Sequence, residues 1–233
     1  MNDQTIIPNH VAFILDGNRR WARAHGLNLF GHRQGGKKFE EVLNWCLELG
    51  VPQVSAYVLS TENLDRPKKE LDEIFKTAYD FLKRWEKKKT VFDKYEVKIR
   101  FVGDLSKLPP KLVKAMGKIM QRTAKYQKRI LNILVGYGSK FELTTVMRKI
   151  AEKALKTGYI EISEKDINAN LLVPVPVDLV IRTGGMKRLS NFLLWQASYA
   201  ELIFLETLWP DFSKKEFIWC IEEYNRRQRK FGE

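Results

Sequence analysis

The chain has 233 residues, with 41 Lys and Arg against 28 Asp and Glu, a formal net charge of +13 and 44% hydrophobic residues. That much apolar material supports a packed core and excludes a disordered or fibrous chain. Cys46 and Cys220 stand far apart within amphipathic patterns, which excludes a disulfide framework or cysteine-based zinc site and predicts two buried thiols of a cytoplasmic protein. Met1-Asn2-Asp3-Gln4 lacks the basic start and apolar stretch of a signal peptide, and no apolar run approaches the ~20 residues that span a bilayer. The positive charge suits nucleic acid, an anionic membrane face or a phosphorylated small molecule, and does not choose among them.

In chain order, Val11–Leu15 predicts a first strand, followed by the turn Asp16-Gly17-Asn18-Arg19-Arg20-Trp21. A helix over Gly36–Leu49 leads to a strand over Val54–Leu59 and the turn Ser60-Thr61-Glu62-Asn63-Leu64-Asp65-Arg66-Pro67. Lys68–Lys89 predicts a long helix with Leu71, Ile74, Phe75, Ala78, Leu82 and Trp85 on one face. Strands then follow over Val97–Val102, Ile130–Val135, Leu179–Ile181 and Leu202–Leu205, with helices over Lys111–Tyr126, Phe141–Lys156 and Lys214–Phe231. Most strands are nearly continuous in apolar character, as expected of strands buried on both faces. The alternation predicts one α/β domain over residues 1–233, a mainly parallel sheet of about six strands flanked by helices.

Ligands in such sheets bind outside the carboxyl ends of the strands, so the residues that follow each strand are the candidates. Gly17 lets the backbone approach an anion with the following N–H groups aimed at it. Arg20, Arg66, Arg182 and Arg188 can each grip phosphate oxygens through a planar fork. His32 can donate to a phosphate oxygen. Asp16 is a hard oxygen ligand suited to Mg²⁺ that shares a substrate's phosphates, and Glu201 is a second carboxylate beside the last strand. Alone, each has a plainer meaning: a turn, a structural histidine, a surface arginine, a carboxylate paired with a neighbouring arginine. Their coincidence on one edge of the predicted sheet favours phosphate plus metal. The nucleotide phosphate loop, the dinucleotide fingerprint and the nucleophile elbow are absent from the sequence.

Several long motifs, in order from His10 to Gly232, resemble the cis-prenyltransferases, the family of undecaprenyl diphosphate synthase. They include His10-Val11-Ala12-Phe13-Ile14-Leu15-Asp16-Gly17-Asn18, Ser60-Thr61-Glu62-Asn63 with Arg66-Pro67, Ile181-Arg182-Thr183-Gly184-Gly185, Arg188-Leu189-Ser190-Asn191-Phe192 and Trp209-Pro210-Asp211-Phe212. The resemblance implies Mg²⁺-dependent addition of isopentenyl diphosphate to an allylic primer of the farnesyl or geranylgeranyl type. The implied product is a medium-to-long, undecaprenyl-like polyprenyl diphosphate that grows into an apolar tunnel beside the long helix. Asp16 and Asn63 would be catalytic, with Mg²⁺ on Asp16 assisted by Glu201. Gly17, Asn18, Arg19, Arg20, Trp21 and His32 would hold the allylic diphosphate, and Arg182, Arg188 and Ser190 that of isopentenyl diphosphate. Ser60, Asn63 and Arg66 would organise the reacting ends.

The same resemblance implies a cytoplasmic homodimer whose Arg229 and Gly232 reach the partner's active site, transient membrane contact on product release, and no nucleic-acid partner. Departures lie at Asn28, where many relatives place another phosphate-binding arginine, at Leu64, where tryptophan is common, and at Met186, often acidic. Pro174-Val175-Pro176-Val177-Asp178 and Met186-Lys187 resemble archaeal members. Extra residues near Glu86-Lys87-Lys88 predict either an outward bend of the long helix or a longer solvated end. A catalytically silent subunit would lose the Asp16-Gly17-Asn18 motif. A nucleic-acid binder would interleave exposed aromatics with Lys and Arg, and the strands here read as buried.

Overall fold

The protein, described from a computed structural model, is defined over residues 5–27, 31–87, 89–158 and 162–227, without the side chains of 31, 32, 87 and 89–91. Its six strands are β1 (His10–Ile14), β2 (Gln53–Ser60), β3 (Val97–Val102), β4 (Arg129–Tyr137), β5 (Leu179–Arg182) and β6 (Glu201–Phe204). They form one sheet in the order β3-β4-β2-β1-β5-β6, and every pairing is parallel. The helices are α1 (Asn18–Ala24), α2 (Gly31–Glu48), α3 (Lys68–Lys87), α4 (Lys89–Lys94), α5 (Pro110–Thr123), α6 (Ser139–Thr157), α7 (Glu164–Asn170) and α8 (Lys214–Arg226).

The apolar strands are buried on both faces because two cores sandwich the sheet. Val11 and Phe13 of β1 join a large core with Val42 of α2, Trp85 of α3, Met116 of α5 and Ile221 of α8. Ala12 and Ile14, pointing the other way, join a smaller core with Val173, Val177, Phe192 and Leu193. Cys46 and Cys220 are buried free thiols. No helix among the described residues is long and apolar enough to cross a membrane.

Three short helices, α1, α4 and α7, were not legible as such. Only Ala22 of α1 is buried and no residue of α7 is, so neither presents the apolar stripe that periodicity detects. The predicted Lys68–Lys89 helix is α3, followed by the separate α4. Its end is neither free nor splayed: the Arg122 guanidinium of α5 donates to the Glu86 and Trp85 carbonyls at 2.8 and 3.2 Å. Those carbonyls lie in the last turn, where helix acceptors lack partners of their own.

A buried polar chain crosses the three central strands. His10 Nδ1 lies 3.0 Å from the Pro176 carbonyl, Nε2 lies 2.7 Å from Ser55 Oγ, and Asn132 donates to the same Oγ at 3.1 Å. Burial pulls the His10 imidazole down to about 4, against the opposing pull of the Pro176 and Val175 carbonyls and of Asp178. The unfolded chain protonates its histidine near pH 6.5, so between there and about pH 4 the unfolded state holds more protons. Stability is therefore lost as pH falls through that window, by about 3 kcal/mol. Denaturant midpoints at pH 7 and pH 4 should show that part of the loss abolished in His10→Gln; an unchanged pH response would overturn the assignment.

Candidate active site

β1 is flanked by β2 on one side and β5 on the other, and the chain leaves their carboxyl ends in different directions. A crevice opens at such a switch point. Asp16, two residues beyond β1, sits there with its backbone pinned: its carbonyl accepts from Trp209 N–H at 3.0 Å and from Thr183 Oγ at 2.8 Å. Gly17 follows at φ 111°, where a Cβ would lie 2.9 Å from Leu208 Cα. A side chain is excluded there by both conformation and space.

Across the crevice, Arg182 ends β5 with its side chain 5% exposed, against 30% for Asp16. Its guanidinium donates to Asp16 Oδ2 at 2.8 Å, to Ser190 Oγ at 2.8 Å and to the Arg188 carbonyl. Arg20 reaches the other Asp16 oxygen at 3.2 Å. The buried Arg182 Nε has no hydrogen-bond partner. The loop these bonds hold is strained, with Ser190, Asn191 and Leu193 at φ 51°, 65° and 42°. Such conformations persist in non-glycine residues only where surrounding contacts over-determine them. Tyr57 supplies one such contact, stacking on Phe192 at 4.7 Å and donating to the Ser190 carbonyl at 3.3 Å.

The third turn follows β2, whose pairing with β4 slips between Tyr57 and Ser60. A bulge at a strand end re-aims the side chains beyond it. Ser60 Oγ accepts from Asn63 N–H at 3.1 Å, and Asn191 donates to Glu62 at 2.9 Å, joining this turn to the β5 loop. Burial tends to raise the Glu62 carboxyl, and hydrogen bonds from its own backbone N–H, Asn191, Ser60 and Thr61 more than offset it, holding it below the usual range. Arg66 and Arg19 share one carboxylate, Glu70, at 3.2 and 3.5 Å.

These turns form the mouth of one cavity of about 910 Å³. Arg19, Arg20, Arg23, Arg66, Arg182 and Arg188 line the mouth, whereas Phe39, Ile74, Phe81, Phe101, Leu112 and Met116 line the depth. Among their neighbours, Asp16 and Glu70 are ion-paired to these arginines, and Glu62 accepts from Asn191 beside them. Six cations against three anions leave a standing positive potential at the entrance to an apolar space. Among the described residues no group of three His, Cys, Asp or Glu could hold a metal alone. The partly open Asp16 carboxylate fits Mg²⁺, which takes one or two carboxylates and completes its shell with water and phosphate oxygens.

Of the residues the sequence nominates, Asp16, Gly17, Asn18, Arg19, Arg20, Ser60, Asn63, Arg66, Arg182, Arg188 and Ser190 all line this cavity. Two nominations need correction. Glu201 begins β6 level with Leu179 and Val11, five residues from Asp16 along the strand direction, or about 16 Å at the rise of a strand. It is bonded to Arg227 at 2.8 Å, so within one chain it does not share a metal with Asp16. Trp21 turns away from the cavity, donating to Asp211 at 2.7 Å and stacking on His25 at 4.1 Å. The His32 side chain and Asn28, Arg229 and Gly232 lie outside the described residues. Sequence reasoning missed Glu70, Asn191 and Tyr57 as supports. Only Glu70 carried a signal, four residues after Arg66 on a helix entry.

A cationic rim around an apolar cavity, built on a parallel sheet, is the architecture of an enzyme that handles the phosphorylated end of a hydrocarbon chain. Residues 14–232 match the sequence family described as "Putative undecaprenyl diphosphate synthase". A tritrans,polycis-undecaprenyl-diphosphate synthase (geranylgeranyl-diphosphate specific) of Methanopyrus kandleri is 42% identical, covering 97% of this chain and 85% of the relative. An isoprenyl transferase of Aquifex pyrophilus is 40% identical over 97% of this chain and 96% of its own. The crystal structure of lavandulyl diphosphate synthase from Lavandula x intermedia, in complex with dimethylallyl diphosphate, superposes with a TM-score of 0.90 at 31% identity, covering 97% of this chain and 98% of that one. The chain belongs to the undecaprenyl diphosphate synthase family and is a cis-prenyltransferase.

The closeness of the turns is itself testable. Gly184 has φ 86°, and a Cβ there would lie 2.6 Å from Arg20 Nη2 and 3.1 Å from the Asp16 carbonyl carbon, whereas Gly26, at φ 66°, has nothing within 4 Å. Gly26→Ala should cost only the left-handed backbone strain, about 1–2 kcal/mol. Gly184→Ala should cost about 2–4 kcal/mol, because its Cβ also crowds the pinned Asp16 carbonyl at 3.1 Å, whereas the tip of Arg20 can swing aside. Urea denaturation of both variants gives the comparison, and equal losses would show that the Asp16 turn is not packed against Gly184.

Proposed function

We propose that the chain joins isopentenyl diphosphate units to an allylic diphosphate of the farnesyl or geranylgeranyl type, with Mg²⁺ at Asp16, and releases a medium-to-long, undecaprenyl-like polyprenyl diphosphate. The single observation behind this is the continuous cavity, cationic at its mouth and apolar in its depth. The name of the Methanopyrus kandleri relative favours geranylgeranyl over farnesyl diphosphate as primer. The enzyme acts as a cytoplasmic homodimer that touches the membrane when product leaves.

In each cycle the carbon–oxygen bond of the allylic diphosphate breaks and its carbon joins the terminal alkene carbon of isopentenyl diphosphate. The diphosphate departs with the electrons of the broken bond, and the proton lost from the neighbouring carbon, which sets the cis double bond, passes to that diphosphate or to a water. Gly17, Asn18, Arg19 and Arg20 hold the departing diphosphate. Arg182, Arg188 and Ser190 hold that of the incoming unit. Ser60, Asn63 and Arg66 keep the two reacting ends in register. Arginines aimed at the leaving group stabilise its growing charge without reorganising. Mg²⁺ bound at Asp16 would supply further neutralisation of that charge. As the two diphosphates draw Arg20 and Arg182 respectively onto their own oxygens, the Asp16 carboxylate, to which both now donate, is left open. Apolar walls such as Phe39, Phe81 and Leu112 keep water from the allylic carbon. Asp16, Gly17 and Asn18 line the cavity together, which argues against a catalytically silent subunit.

Asp16→Asn should lower turnover at least about a hundredfold, since the lost charge stabilisation is worth several kcal/mol. Asp16→Ala should do the same and also cost about 1–3 kcal/mol of stability, because it leaves the buried Arg182 guanidinium without its carboxylate. A strand-end carboxylate is expected from sequence to pack against little; the Arg182 bond changes that expectation. Near-normal Mg²⁺-dependent turnover by a folded Asp16→Asn enzyme would refute the assignment.

Each added unit buries five carbons, roughly 3–4 kcal/mol of gross apolar transfer, so long products should leave slowly. Radiolabelled isopentenyl diphosphate with geranylgeranyl or farnesyl primers, analysed by chromatography and mass, should give long products. The geranylgeranyl primer should be preferred, and turnover should rise when detergent accepts the chain. A dominant product only a few units longer than the primer, under every condition, would overturn the proposal.

A further inference from the structure

Residues 105–141 carry nine Lys or Arg and no Asp or Glu, and so account for most of the chain's +13 charge. At the centre of this stretch is α5, whose two faces differ sharply. Leu112 and Met116 are buried and line the cavity. Lys111, Lys114 and Lys118 are exposed at positions i, i+3 and i+7, one stripe on the opposite side, with Lys125 exposed just past the helix end. Acidic groups from neighbouring elements compensate only the margins. Glu86 of α3 takes Lys118 at 3.3 Å, Asp104 takes Lys107 at 3.7 Å and Glu96 takes Lys128 at 3.8 Å. Lys111 instead lies over the Tyr79 ring at 4.4 Å, and Lys114 has no acidic partner among the described residues.

We propose that the outer face of α5 is a docking surface for an anionic lipid bilayer, set against the apolar wall of the substrate tunnel. This rests on the polyprenyl diphosphate reading above, which gives the cavity a lipid product. The α5 helix is about 10 Å thick, so a bilayer seated on its lysines lies within one helix diameter of the hydrocarbon chain packed on Leu112 and Met116. A basic helix face is drawn to anionic headgroups over a Debye length, and each lysine near the surface adds to the attraction. A single-stranded nucleic acid would want exposed aromatic platforms among the cations. The exposed α5 residues supply none, and the nearby Tyr126 hydroxyl is committed to Asp93 at 2.5 Å.

Sedimentation of the full chain with phosphatidylglycerol–phosphatidylcholine vesicles, with pure phosphatidylcholine vesicles and with a DNA oligonucleotide tests this. The protein should bind the anionic vesicles, lose them as salt rises and ignore the neutral ones. Lys111→Glu/Lys114→Glu/Lys125→Glu should weaken that binding more than about tenfold, and the Gln versions of the same three should weaken it less, in order of charge. Lys149→Glu/Lys153→Glu/Lys156→Glu on α6, with the same change in net charge, should leave most of it. Equal losses from the α5 and α6 variants, undiminished binding by both α5 variants, or tighter retention by DNA than by vesicles would overturn the proposal. Turnover in detergent without vesicles separates the two readings. It should be unchanged in the α5 variants, and its absence from the unmodified chain would remove the polyprenyl reading while vesicle binding is still measured.

Discussion

The bond between Asp16 and Arg182 is the constraint on which the site depends. It spans two neighbouring parallel strands at the point where the chain departs in different directions, and its arginine is almost wholly removed from water. A guanidinium in that position is tolerable only with a counter-charge and with most of its donors satisfied. Asp16 supplies the charge, and Ser190 Oγ and the Arg188 carbonyl take further donors. The same contacts therefore do two jobs. They neutralise Arg182, and they pull the strained loop carrying Arg188 and Ser190 over the crevice. Replacing the pair by apolar residues could leave the sheet intact, but it would release that loop and the Arg188 and Ser190 it carries.

Charge and grease are kept apart in one cavity by the geometry of the sheet. Backbone turns at the carboxyl ends place the arginines at the rim, where water and phosphate can reach them. The residues behind the rim come from strand faces and from α2, α3 and α5, whose apolar stripes already face the core. An amphiphile entering such a cavity meets cations at the rim and apolar walls behind them, so charge attraction and exclusion from water favour the same orientation. Ion pairing holds the rim in shape before substrate arrives. Arg19 and Arg66 lean on Glu70, and Arg20 and Arg182 on Asp16, whereas no bond to Arg188 through its side chain is made by the described protein groups.

Much of this was legible in the sequence. Continuous apolar runs such as Val54–Leu59 mark strands buried on both faces, and a parallel sheet confines ligand-binding residues to the turns that follow them. That reasoning locates Asp16, Ser60, Asn63, Arg66, Arg182, Arg188 and Ser190 at one edge without coordinates, and the family motifs name the chemistry. Where it failed, the cause is specific. Glu201 stands at the amino end of the last strand, and the parallel pairing of β6 with β5 puts that end of the sheet opposite the Asp16 turn. Trp21 follows the Asp-Gly turn closely in sequence, yet one short helix rotates its ring toward Asp211.

The sequence by itself determined the alternation of strands and helices, the burial of the strands and the identity of the arginine-bearing turns at the strand ends, because each of these is written in local pattern and side-chain chemistry. Only the tertiary structure decided how those turns meet. Strand order brings β1 beside β5, and so makes Asp16 the counter-charge of Arg182. Packing of α5 on α3 places Arg122 on the last carbonyls of the long helix and turns a lysine stripe outward from the tunnel wall. The left-handed backbone at Ser190, Asn191 and Leu193 has no local sequence cause; it is held by Tyr57, Ser139 and Arg182, residues brought there from other strands and helices. Contacts between residues far apart in the chain are set by topology, and periodicity along the chain carries no record of them.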